Sequence, residues 1–121
     1  MKPRDARGWA YLARFLLSHG AYQRAEAAAS LAMDCDPNDP VATAVQGQLL
    51  DMKGHSQEGF KLLEQAVHLS ADDAEAKIQL GSIHDRIKHR EQAVQDFTEA
   101  VSINPTDARA WDYLALDLES H

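Results

Sequence analysis

Apolar residues recur along this chain at helical spacing. Trp9, Leu12, Ala13 and Leu16 fall at i, i+3, i+4 and i+7; Leu62, Leu63, Ala66 and Val67 form a second stripe, and Val94, Phe97 and Val101 a third. Between the stripes stand glycines, prolines and aspartates, the residues that stop and start helices. This patterning predicts an all-α chain of seven helices, near residues 5–18, 22–35, 39–53, 56–69, 73–86, 90–103 and 107–119.

The pattern also repeats. RGWAYLARFLLSH (7–19) lies over RAWDYLALDLESH (109–121) at an offset of 102 residues, which is three times 34. At the smaller step, small residues recur at 13, 47, 81 and 115, at 25, 59 and 93, and at 32, 66 and 100. Each unit therefore reads as a hairpin of two helices whose backbones approach closely at small residues, while larger apolar residues fill the adjoining groove. Gly20 and Gly54 fit the inner turns, where a left-handed residue ends a first helix; the third unit has Lys88 there, at a cost in turn preference.

The stretch DCDPNDP (34–40) begins like a calcium loop. Counted from Asp34, however, the sixth place is Asp39 instead of the bend glycine, and the twelfth is Val45 instead of a bidentate glutamate. The period explains the stretch differently. Asp5, Asp39, Asp73 and Asp107 stand 34 apart, each ahead of a first helix, where a carboxylate accepts free amides and faces the positive end of the dipole. Pro40 fits the first helical position, and Pro37 and Pro105 stop the preceding helices.

These residues resemble the tetratricopeptide repeat, a 34-residue pattern of large, Leu, small and aromatic residues, then small, aromatic and Ala, then Pro. The first unit (6–39) gives Trp9, Leu12, Ala13, Leu16, Ala25, Ala29, Ala32 and Pro37; the third (74–107) gives Lys77, Leu80, Gly81, His84, Ala93, Phe97, Ala100 and Pro105. The middle unit (40–73) keeps Gly47, Gly59 and Ala66 at its small places. The resemblance implies one domain, a right-handed α-solenoid of three hairpins with a C-terminal helix over 108–121. Trp111, Leu114, Ala115 and Leu118 repeat the stripe of the first unit on that last helix. Asp112, Asp117 and Glu119 are expected to give it a polar outer face and a monomeric chain, with self-association through the stripe as the alternative.

Charge and chemistry narrow the function. Twelve Lys and Arg stand against 19 Asp and Glu, a net charge of −7 with no local basic stripe, which disfavours a nucleic-acid partner. The N-terminus lacks an apolar signal core, no apolar run approaches the ~18 residues of a membrane span, and the cytoplasm is the expected location. Cys35 is the one cysteine, so no intrachain disulfide forms, and its register with Leu69 and Ile103 makes it a small core residue. His55, His68, His84 and His89 include no i, i+4 pair, so no metal is expected; His84 stands at an aromatic place and reads as a packing residue. Ser18–His19 recurs as Ser120–His121, but adjacent helical residues point about 100° apart and no orienting acid is placed. No phosphate loop is present. The chain is expected to be non-catalytic and without a cofactor.

The resemblance implies a protein-interaction module that cradles a peptide or partner segment along one face of its first helices. That face comprises Arg7, Ala10, Tyr11, Arg14, Leu17, Val41, Ala44, Val45, Gln48, Ile78, Gln79, Ser82, Arg109, Asp112, Tyr113 and Leu116. Ala10, Ala44, Val45 and Ile78 would form a small apolar middle, Tyr11 and Tyr113 would bracket it, and Arg7, Arg14 and Arg109 would favour some negative charge on the ligand. The family's Lys/Asn/Arg clamp for a chaperone's C-terminal carboxylate does not carry over. Its places hold Ala10, Arg14, Val45, Glu75 and Gln79, or, one unit later, Ala44, Gln48, Gln79, Arg109 and Tyr113. A small chaperone or assembly adaptor is one expectation; a structural or regulatory piece of a larger repeat protein or enzyme is the other.

Overall fold

The 34-residue register is realised as helical hairpins. The computed structural model describes residues 5–119; Arg4 and the Ser120–His121 pair lie outside them. Among the described residues there are seven helices and no strand: α1 (Ala6–Ser18), α2 (Tyr22–Cys35), α3 (Pro40–Met52), α4 (Ser56–Leu69), α5 (Ala74–Arg86), α6 (Arg90–Ile103) and α7 (Ala108–Glu119). The chain divides into two compact units, the first ending at Ala71 and the second beginning at Asp72, within two residues of the boundary between the second and third repeats.

Every first helix starts at an aspartate. Asp5, Asp39 and Asp73 accept the amides of Gly8, Ala42 and Ala76 at 3.1, 3.0 and 3.2 Å, and Asp107 accepts the amide of Arg109 at 3.0 Å. The DCDPNDP stretch is a turn: Asp36 Oδ1 accepts the Asn38 amide and the Asp36 carbonyl accepts the Asp39 amide, which delivers the chain to Pro40.

The inner turn is one structure used three times. The amides of Ala21, His55 and His89 reach back to the carbonyls of Leu16, Leu50 and His84 at 2.9, 2.9 and 2.8 Å, a closure that demands a left-handed residue just before it. Gly20 and Gly54 adopt φ of +79° and +92° without steric penalty, whereas Lys88 is forced to the same region at φ 65°.

The first unit shows why the hairpins need small residues. A Cβ placed on Gly59 would sit 2.5 Å from the Gly47 carbonyl, so α3 and α4 touch backbone to backbone. Alanines play the same part between α1 and α2: Ala13, Ala25, Ala29 and Ala32 are fully buried in a cluster with Val45 and Leu49, with Trp9 and Leu16 packed against it. In the second unit the core is built on Phe97, fully buried among Ile78, Ala93, Ala100, Ala110 and Leu114. Gly81 leaves room for the Phe97 ring, which a Cβ would meet at 2.7 Å.

One expectation for α7 fails. Asp117 does not join a polar outer face; it is buried, only 4% exposed. Its place in the 34-residue register is that of Leu49 and Ile83, which are buried too, whereas Phe15 at the same place on α1 is 57% exposed.

Candidate functional site

In the first unit, α1 and α3 supply the face expected to meet a ligand. Their amphipathic register turns Ala10, Leu17, Val41, Ala44 and Val45 inward, and all five are buried. They shape the face without offering it contact area. What reaches the surface is polar or aromatic: Arg7 and Tyr11 are exposed, and Arg14 and Gln48 are half-buried. The Tyr11 ring, 53% exposed, lies under the Arg7 guanidinium with 5.9 Å between the guanidinium carbon and the ring centroid.

Arg7 is already committed. Its Nε donates to Asp39 Oδ2 at 3.1 Å, and this hydrogen bond with the buried Asp39 carboxylate raises the guanidinium pKa further. Asp39 thereby serves two donors, the Ala42 amide and Arg7, so a single side chain both starts α3 and ties it to α1.

The second unit carries the remaining residues on α5 and α7. Ile78 is core, 2% exposed. Gln79 and Ser82 are half-buried, and the Gln79 amide nitrogen donates to Glu75 Oε2 at 2.9 Å. Arg109 donates to Glu75 Oε1 at 2.6 Å and Asp107 Oδ2 at 2.9 Å, which raises its own pKa and lowers that of Asp107. The Tyr113 ring stacks on Phe97, centroids 5.0 Å apart and planes 9° apart, so one of its faces is taken by the core. Asp112 and Leu116 are exposed. The carboxylates that hold Arg7 and Arg109 were not anticipated from the sequence, although Glu75 and Arg109 stand one repeat apart.

Several candidate chemistries receive plain structural roles. Ser18 Oγ and His19 Nδ1 do meet, 3.2 Å apart, because His19 sits past the helix end and its ring folds back; both reach the Phe15 carbonyl, at 2.8 and 2.9 Å. They close the C-terminus of α1. His84 Nδ1 lies 2.6 Å from Asp96 Oδ2, both half-buried, and burial outweighs the histidine in setting the Asp96 pKa, which is raised. Cys35 is a half-buried free thiol. Among the described residues no three His, Cys, Asp or Glu side chains converge on a metal position, and no helix is long and apolar enough to cross a membrane.

Sequence reasoning also passed over exposed apolar residues of α1. Leu12 and Phe15 are 41% and 57% exposed, although their register partners Leu80 and Ile83 are buried. The register held part of the signal: Leu80 and Leu114, and Leu49 and Ile83, stand at the same places, although Gln46 and Asp117 do as well.

Residues 74–107, the third unit, match the tetratricopeptide repeat family. No curated protein matches the chain. Among solved structures, the first TPR of Spaghetti (RPAP3) bound to the HSP90 peptide SRMEEVD is similar at a TM-score of 0.77 and 18% identity, over 99% of this chain and 95% of that one. PilF from Pseudomonas aeruginosa is similar at 0.79 and 21% identity, over 96% of this chain and 54% of that one. MamA is similar at 0.73 and 21% identity, over 98% and 69%. At these identities the likeness is one of fold.

Proposed function

Starting from the fold it shares with tetratricopeptide-repeat proteins, we propose that this chain is a non-catalytic adaptor that binds a peptide segment of another protein on the α1–α3 face of its first unit. The carrying observation is Tyr11, an aromatic ring more than half exposed on a first helix and oriented by Arg7, in a unit whose first helices also bring the half-buried Arg14 and Gln48 to the surface. An amphipathic ring with a cation and an amide nearby suits an extended segment, which offers carbonyls and amides at every residue. A similar fold solved with a bound chaperone peptide supports the ligand class.

The proposal gives charge a smaller part than the sequence alone implied. Arg7 and Arg109 are each paired with carboxylates that offset their charge, so each is a weaker anion receptor than an unpaired arginine. Affinity then rests on the Tyr11 ring and hydrogen bonding, and its dependence on salt is shallow.

A random peptide-display selection on the intact chain, followed by solution binding of the winning peptides, tests this. Tyr11→Ala and Arg14→Glu should each weaken those peptides while leaving the far-ultraviolet circular dichroism unchanged. Peptides that bind both variants as tightly as the parent chain place the interface elsewhere and end the proposal.

A further inference from the structure

The turn between α5 and α6 closes its hairpin as the other two inner turns do, but it is built of different residues. In the first unit residues 18–22 include no Lys or Arg, and residues 52–56 hold one, Lys53, which is paired with Glu26. In the second unit the matching five are Arg86, Ile87, Lys88, His89 and Arg90. Three of the chain's twelve Lys and Arg thus fall in one turn of a chain whose net charge is −7, and all five residues are exposed.

One of these residues is held where its side chain costs stability. Lys88 stands at φ 65°, in the left-handed region that Gly20 and Gly54 occupy in the other turns. Glycine closes those hairpins with the same backbone hydrogen bond, so closure alone does not call for a lysine here. The turn is also ordered: the His89 amide donates to the His84 carbonyl at 2.8 Å, and the two imidazoles stack with centroids 6.1 Å apart and planes at 25°. Among the described residues, Asp85, Lys88 and Arg90 line a cavity of about 330 Å³, so two of the cations border a concave surface.

We propose that the α5–α6 turn docks a short acidic segment of a partner protein, its carboxylates meeting Arg86, Lys88 and Arg90 and an apolar residue among them meeting Ile87. Charge complementarity sets the sign of the ligand. Ile87, 51% exposed in the midst of the cations, sets its kind: a bare anion leaves the isoleucine in water, whereas a peptide covers it. The cationic surface is one turn long, and the acidic remainder of the chain repels the extended phosphate track of a nucleic acid. Asp85 and Glu91 flank the turn and hold the affinity to a modest, salt-dependent level. This surface belongs to the second unit, and its occupancy does not depend on peptide binding at the α1–α3 face.

The probe is a capped pentapeptide of four glutamates around a central leucine, titrated into the intact chain and followed by proton–nitrogen correlation spectra. Saturable shifts should centre on residues 86–90 and weaken as salt is raised. The same peptide with glutamine in place of every glutamate should give none. Lys88→Gly separates binding from folding, because it relieves the turn while removing a cation: it should raise the unfolding midpoint and yet weaken the peptide about threefold. Arg86→Glu, at an exposed position, should weaken it further, and Ile87→Ser should weaken it as well. A peptide that fails to saturate at millimolar concentration overturns the proposal, and so does equal binding of the glutamine peptide or a shift pattern centred on α1 and α3. Affinity unchanged by Lys88→Gly and Arg86→Glu overturns it too, as does affinity unchanged by Ile87→Ser, which would reduce the ligand to a bare anion.

Discussion

Replacing Asp117 with leucine or asparagine should change the pH dependence of stability in a direction the structure fixes. Asp117 is as buried as Leu49 and Ile83, its register partners, at 4% exposure against 4% and 3%. Among the described residues its Oδ2 has no hydrogen-bond partner. Burial first, and then the neighbouring Asp85 carboxyl of α5, push its pKa up to about 6, against a downward pull from Arg90 of α6. A free aspartate titrates near about 3.9, so the raised value means that the folded protein holds this proton more tightly than the unfolded chain, at a site shared with Asp85. Stability from this group is therefore greatest below about pH 4, falls as pH rises through about 6, and is flat above. Urea unfolding followed by circular dichroism at a series of pH values measures it. Asp117→Asn should remove that part of the slope, and Asp117→Leu should in addition raise stability at neutral pH. Asp96, also raised by burial against His84, and Asp107, lowered by Arg109, are common to parent and variant, so the difference reports the Asp117 site together with its Asp85 neighbour. Parallel pH curves for parent and Asp117→Asn would refute the reasoning.

Lys88→Gly should stabilise the chain: it relieves a left-handed strain of about 1–2 kcal/mol and returns part of that as unfolded-state entropy, leaving a gain of roughly 1 kcal/mol or slightly less in a denaturant melt. Gly20→Ala and Gly54→Ala should shift the midpoint the other way, since both sit at positive φ. Ala66→Leu and Ala100→Leu, at fully buried places, should each cost roughly 1–3 kcal/mol by overpacking. Gly59→Ala should lower the midpoint as well, because its Cβ would press on the Gly47 carbonyl.

The fold was legible because its determinants are local and repeated. The aspartate caps, the turn glycines and the small residues at 13, 47 and 81 each act within one hairpin, and the period multiplies a weak local signal into register. Even the strained Lys88 follows from alignment with Gly20 and Gly54. The candidate site was less legible. Which face a residue takes follows from the period, but whether it is covered depends on neighbours the pattern does not show. Ala10, Val45 and Ile78 were expected as contact surface and are core. Arg7 and Arg109, expected to meet a ligand, also bind Asp39 and Glu75, pairings across repeats that depend on side-chain reach. Asp117 was misjudged because its charge was weighed above its alignment with the buried Leu49 and Ile83, although Phe15 at the same place is exposed.

The central claim is that a peptide segment is read by the exposed side chains of α1 and α3. Amide and side-chain chemical-shift mapping of the intact chain with a display-selected peptide tests it most directly. The account predicts that the largest saturable shifts cluster at Tyr11, Arg14 and Gln48, with the Arg7–Asp39 pair preserved. Shifts confined to α2 and α4, or to α7 alone, would contradict it.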